Sequence, residues 1–491
     1  MKVLIAGATG FVGRALVLRL RAEGHHVIAY VRSVERAASQ LGAEAELLPI
    51  DASPQRAAQA LVGLDAVINL AGQNLFGGRW SRKRKRSLAG SRVETTRQLV
   101  DLIGTLPRPP RVLISASGVG IYGDRWDELL DEQSSPGEDF LARLSLDWEE
   151  AASRAGDHGL RVVALRIGTV LGPEGGALIK LAPSFRWGLG ARLGTGRQQM
   201  AWIHLRDLLE LIVTALADER YQGPINATAP AGVTNGEFTR ALARVFDRRA
   251  FLSIPGWALR LLIGQAASVL LASQRVAPRK LEQLGFRHRF TEIGAALADI
   301  FDAGRAPVMS RPERHEARGL PSEPGHLLRQ TTILEAPLDQ VFDFFSRAQN
   351  LALMTPSWMD FQIVSDASAG PRAGETIDYK IKVGPLSMRW RTRFLAWEPG
   401  ARFIDNQERG PYRLWHHEHR FSAEGDRTRM EDIVHYTLPL GPLGRLMHRL
   451  FVAGQLRRIF SFRAATIALR FAAGSGAEPA VQRPDKPASA G

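Results

Sequence analysis

Three glycines in the first thirteen residues, Gly7, Gly10 and Gly13, stand at G-x-x-G-x-x-G spacing. They follow the apolar run Val3-Leu4-Ile5 and open an amphipathic stretch over residues 11–23 that Gly24 ends. A strand, a glycine turn and a helix start in succession form an anion site. The turn lets backbone approach a pyrophosphate, and the free N–H groups of the first helical turn point at it. Residues 1–33 are therefore expected to hold a dinucleotide, with Gly7, Thr9, Gly10, Phe11, Val12 and Gly13 around its phosphates. A second strand over 25–31 ends at Arg32-Ser33, where a carboxylate would hold ribose hydroxyls. An arginine in that place suits a 2′-phosphate, which predicts NADP(H) rather than NAD. Asp51 closes a third strand and is placed for the adenine amino group. The small residues of Asn69-Leu70-Ala71-Gly72 let backbone approach the cofactor, and Ser115 heads the Gly-rich stretch after the fifth strand.

The elements that position these residues alternate strand and helix as far as the strand over 111–115, which predicts an α/β fold with a doubly wound parallel sheet. The chain has 491 residues, too many for one ordinary domain. It has no cysteine, which excludes disulfides and thiolate-held metals. It starts on a core strand with no room for a signal peptide, and its most apolar stretch, 256–273, carries Arg260 and Gln265. The expectation is a cytoplasmic protein with no integral membrane segment. A net charge of +14 favours anionic partners, and no nucleic-acid motif accompanies it. The basic run Arg82-Lys83-Arg84-Lys85-Arg86 reads as a solvated helix start or as an anion site.

The glycine loop, Asn69–Gly72 and residues 115–123 resemble the extended short-chain dehydrogenase/reductase superfamily. Arg79-Trp80, Ser91-Arg92-Val93, Leu165-Arg166-Ile167-Gly168, Trp202-Ile203-His204 and Leu284-Gly285-Phe286 narrow the likeness. They point to its atypical "epimerase family protein" branch, over about residues 1–302. The resemblance implies a Rossmann-like domain over 1–230 and a small C-terminal segment over 231–303. It also implies hydride chemistry driven by a tyrosine and a lysine four residues apart on one helix, with a serine polarising the same substrate oxygen. The corresponding helix carries neither: Phe140 with Leu144, or Leu141 with Ser145, takes the two positions. Ser117 then stands as the polarising hydroxyl and Tyr122 as the nearby phenol. In sugar-nucleotide relatives the substrate diphosphate binds near 185–197, where Arg186, Arg192 and Arg197 could clamp an anion or simply edge a loop. His204 is a substrate-binding candidate or a helix cap. Two readings stand: an NADP-dependent oxidoreductase or isomerase of atypical mechanism acting on a small molecule, or a non-catalytic NADP(H)-binding regulator.

Residues 304–325 hold prolines and charges without periodicity and read as a linker. From 326 to 473, one strand, short helices, alternating strands and a long last helix resemble the helix-grip fold of the START/polyketide-cyclase superfamily. The likeness is carried by Ala336-Pro337, Trp397-Glu398-Pro399-Gly400 and the strand from Trp415 to Phe421. It implies a cavity for a hydrophobic ligand, lined by Trp358, Phe361, Tyr379, Trp390, Trp415 and Phe421, unless these are plain core. Within Trp415-His416-His417-Glu418-His419, alternation puts two possible ligands on each strand face, too few for zinc. No metal is expected. The Ala/Pro/Gly/Ser-rich tail 474–491 reads as disordered.

Overall fold

The computed structural model describes residues 1–471 apart from 174, 177, 302–306, 314–319, 321, 366–371 and 384–385. The tail 474–491 and much of the expected linker lie outside the described residues.

Seven strands form the first sheet: β1 (Lys2–Ala6), β2 (His26–Val31), β3 (Glu46–Pro49), β4 (Ala66–Asn69), β5 (Val112–Gly118), β6 (Arg161–Ile167) and β7 (Gly223–Ala227). All neighbours run parallel in the order β7-β6-β5-β4-β1-β2-β3. Alternate side chains of β1 enter two cores. Val3 and Ile5 meet the apolar faces of α1 (Phe11–Ala22) and of α3 (Leu205–Ala217). Leu4 and Ala6 meet Leu99, Ile103 and Ala152, the last on α2 (Phe140–Ser153). Both faces are thus covered, as a parallel sheet requires. The winding reverses between β1 and β4, and ligands of such sheets sit at the carboxyl ends of that pair.

The second unit is an eight-stranded antiparallel sheet: β8 (Val308–Ser310), β9 (His326–Leu334), β10 (Gln362–Ile363), β11 (Thr376–Val383), β12 (Leu386–Glu398), β13 (Arg402–Arg409), β14 (Leu414–Glu424) and β15 (Arg427–Thr437). Its order is β8-β9-β15-β14-β13-β12-β11-β10. β8 corrects the expectation of a wholly irregular 304–325. Backbone pairing of Val308–Ser310 with β9 makes it an edge strand, although it is too short to show a period. Register shifts between β12 and β13 mark β-bulges that bend the sheet. Helix α4 (Leu338–Phe345) and the closing helix α5 (Ala453–Arg470) pack against it through Phe342, Phe345, Phe460 and Ile467.

The two units share a seam. Leu18 of α1 lies in the second unit's core, Arg14 donates to the Leu353 carbonyl at 3.2 Å, and Arg470 pairs with Glu44 at 3.3 Å.

Candidate functional site

At the switch point the glycines leave no space for side chains. Gly7 has φ +81°, and a Cβ there would fall 2.6 Å from the Leu70 carbonyl carbon. A Cβ on Gly13 would fall 2.1 Å from the Gly7 oxygen. The turn after β1 therefore lies directly on the Leu70-Ala71 backbone after β4. Gly10 is the N-cap of α1 with no side-chain cap, so the first-turn N–H groups of Phe11, Val12 and Gly13 face outward with no side chain bonded to the cap. Phe11 contributes backbone here; its ring packs on Gly172 and Gly175. Arg32 is exposed at the end of β2, and Ser33 caps the next helix by accepting from the Arg36 N–H at 3.2 Å. Asp51 is exposed beyond β3. Thr9 and Gly72 border the same edge.

Ser115 departs from expectation. It is buried, and its hydroxyl accepts from Asn69 Nδ2 at 3.3 Å while that amide also donates to Thr96. Its side chain braces β4 against β5.

A cation that the sequence reading missed lies beside Gly72. Arg92 sits on a π-helical turn, Gly90–Glu94, its guanidinium 3.1 Å from where a Gly72 Cβ would be. It donates to the Gln73 carbonyl at 2.9 Å, while Arg84 donates to Gln73 Oε1 at 2.7 Å. Burial, with the Arg84 charge adding to it, lowers the Arg92 pKa to about 10. Neither arginine has an acidic partner among the described residues. The motif Ser91-Arg92-Val93 was visible in the sequence, but the π turn that aims its arginine was not.

The expected catalytic pair resolves into a closed chain of bonds. Ser117 donates to Glu149 Oε1 at 2.7 Å, and Glu149 accepts twice from Arg166, at 2.9 and 3.0 Å. Arg166 also donates to Tyr122 Oη at 3.0 Å, and that hydroxyl donates to Asn226 Oδ1 at 2.7 Å. Tyr122 is fully buried and its pKa is raised by desolvation, against the lowering effect of Arg166. Its hydroxyl donates one hydrogen bond and accepts one inside the protein. Ser117 directs its proton at Glu149 and has only lone pairs left to offer. The expected polarising donation is absent from this arrangement. On α2, Leu144 is core and Phe140 meets Trp80 edge to face, whereas Leu141 meets Gly120 just after β5. Leu141 and Ser145, one turn apart, are thus the pair on the face toward that loop, and neither can replace a tyrosine and a lysine.

The three loop arginines do not converge. Arg186 lines a cavity of about 460 Å³ between the two units, with Arg206, Arg248, Arg457 and Arg458. Arg192 and Arg197 stay exposed outside that lining. His204 is the N-cap of α3: its Nδ1 accepts from the Arg206 N–H at 3.1 Å, and its ring packs on Phe290. That buried ring also lines the same inter-unit cavity.

In the second unit a cavity of about 260 Å³ lies between the curved sheet and α5. Phe361, Tyr379, Trp390 and Trp415 line it as expected. Trp358 instead faces the inter-unit cavity, and Phe421 packs with Phe342 and Phe345. One wall is polar: Asp405, His417, His419 and Arg463. In the antiparallel register Asp405 stands opposite His417, and Asp432 opposite His419. The count of two possible ligands per face was thus too low, because both neighbouring strands add a carboxylate. Burial, with His419 adding to it, lowers the His417 pKa to about 4, and Asp432 is held well below the usual carboxylate range because nearby Arg463 and the histidines outweigh desolvation.

An open parallel sheet with a glycine turn at its switch point defines a nucleotide-binding α/β protein of the dehydrogenase/epimerase type. Matching models cover the NAD dependent epimerase/dehydratase family over residues 3–227 and a domain of unknown function over 254–300. A polyketide cyclase / dehydrase and lipid transport model matches 334–460. An SDR39U1 homologue of Arabidopsis thaliana, an epimerase family protein, is 40% identical over 302 residues, 61% of this chain and 86% of that one. Human epimerase family protein SDR39U1 is 36% identical, over 61% of this chain and 99% of its own. A crystal structure of the human protein with NADPH superposes with TM-score 0.57 at 36% identity, covering 62% of this chain and all of that one. The chain belongs to the epimerase family, and it carries in addition a polyketide-cyclase-like unit that these relatives do not cover. Among the described residues no helix is long and apolar enough to cross a membrane.

Proposed function

We propose that the first unit binds NADP(H) and acts as an oxidoreductase or isomerase on a small anionic molecule, with the second unit holding an apolar ligand. The glycine turn carries this reading: two positions where a Cβ would strike backbone, under a helix start with no side-chain cap. Gly7, Gly10, Gly13 and the N–H groups of Phe11 and Val12 would hold the pyrophosphate, and Arg32 the 2′-phosphate. Leu70 to Gly72 would flank the ring end. The human relative was solved with NADPH, which agrees with Arg32 in place of a carboxylate. When bound, the nicotinamide supplies hydride transfer. Arg84 and Arg92, lacking acidic partners, give the carboxyl edge of the sheet a field that favours a carboxylate or phosphate on the substrate.

A second reading, a non-catalytic NADP(H)-binding regulator or carrier, is favoured by the closed chain from Ser117 to Asn226, which leaves no side chain of it free to move a proton. Titration of the full chain with NADPH and NADH, followed by nicotinamide fluorescence and tryptophan quenching, tests the shared part. NADPH is expected to bind at least tenfold more tightly, with the preference lost in Arg32→Asp. No binding of either nucleotide would overturn both readings. Turnover of NADPH against acidic carbonyl and enone compounds then separates them.

A further inference from the structure

His417 and His419 project from β14 to one side, with rings 3.7 Å apart. His417 Nε2 lies 3.0 Å and His419 Nδ1 2.8 Å from the same atom, Asp432 Oδ1. An imidazole nitrogen that close to a carboxylate oxygen must carry the proton between them. Arg463 lies 3.2 Å from His419 Nδ1 and 3.5 Å from Asp432. A tautomer with Nδ1 accepting from Arg463 would set two lone pairs against each other over the shorter 2.8 Å contact, so the proton belongs on Nδ1. A neutral ring protonated toward Asp432 turns its other, bare nitrogen to Asp405. His417 Nδ1 is 3.6 Å and His419 Nε2 3.0 Å from Asp405 Oδ2. With both rings neutral, three acceptors converge there, and either a proton shared with Asp405 or a metal ion is needed to join them.

We propose that Asp405, His417 and His419 bind a divalent transition-metal ion, zinc by their donor set, on the wall of the second unit's cavity. One ligand atom from each residue lies within 4.8 Å of the others. The two measured edges, 3.0 and 3.6 Å, bracket the ~3.4 Å that ~2.0–2.1 Å bonds give around a tetrahedral ion. Two imidazoles and a carboxylate without thiolate suit zinc. Asp432 supplies the carboxylate that fixes both imidazoles from behind, the usual partner of ligating histidines. Two carboxylates against one guanidinium leave a negative charge among side chains that are largely buried: His417 is 5% exposed, His419 3% and Asp432 3%. The three ligands line the cavity and Asp432 does not, so the fourth position opens toward it. There the ion would take water or an oxygen of the apolar molecule.

The full chain, stripped with chelator and dialysed, is titrated calorimetrically with zinc chloride alone. One equivalent is expected. Asp405→Ala, His417→Ala and His419→Ala each weaken binding at least 100-fold, Asp432→Asn weakens it ~10–100-fold, and His416→Ala, on the other strand face, leaves it unchanged. Should the variants fold poorly, cobalt(II) added to the wild-type chain is expected to give the intense visible bands of a four- or five-coordinate nitrogen/oxygen site. No uptake of zinc, uptake indifferent to the three ligand variants, or only the pale spectrum of hexaaqua cobalt would each overturn the proposal.

Discussion

Each unit buries a polar cluster near its cavity or pocket, and the two clusters are built on opposite principles. From Ser117 through Glu149, Arg166 and Tyr122 to Asn226, each hydrogen points at an acceptor and the bidentate ion pair cancels its own charge. Around Asp405, His417 and His419, neutral rings leave acceptors facing one another until a proton or an ion joins them. A complete network is worth most to stability and least to chemistry, because no member has a free valence. An incomplete one costs stability and is open to a ligand. The unit whose family name promises catalysis has the complete network.

Breaking the complete network should cost most. Glu149→Ala strands a buried guanidinium and is expected to destabilise the first unit by about 3–5 kcal/mol, read as a lower thermal midpoint. Tyr122→Phe, which leaves Asn226 one donor short, should cost about 1–3 kcal/mol without changing NADPH affinity; a large fall in affinity would show the phenol acting on the cofactor. Ser117→Ala removes one bond to a doubly paired carboxylate and should cost about 1 kcal/mol, with no change in any turnover found. In the second unit the effect falls on ligand binding. Asp405→Asn removes a ligand charge and is expected to abolish zinc binding, read by the same calorimetric titration.

Acid sharpens the contrast from a different pair. His326 stacks on His448 at 3.6 Å, and His448 meets the Tyr436 hydroxyl at 2.7 Å. Burial first, then the His448 and Arg311 charges, lowers the His326 pKa from 6.5 to about 4. The unfolded chain therefore takes up the proton first. Stability from this group is full above pH ~6.5 and is lost as the pH falls toward 4. The midpoint of the second unit between pH 7 and 5 should drop less in His326→Gln than in the wild type.

The parallel sheet was legible because β1 is a short apolar run followed by glycines at turn spacing, signals that lie within a dozen residues. The helix-grip unit was legible from alternation and one long last helix. Ser117 and Tyr122 were legible as residue types but their partners were not, since Glu149 is 32 residues from Ser117 and Asn226 104 from Tyr122. Asp405 and Asp432 escaped for the same reason: a strand read alone shows only its own neighbours, while these carboxylates arrive through register. β8 escaped because three residues carry no period.

The seam through α1 has a mechanical consequence. One end of that helix leaves its first amides without a side-chain cap, at the proposed nucleotide site, and its flank, through Leu18, is part of the other unit's interior. The seam therefore joins the halves independently of the expected linker over 304–325. A protease that nicks it should leave two fragments that still co-elute, and nucleotide added to one fragment should slow the melting of both.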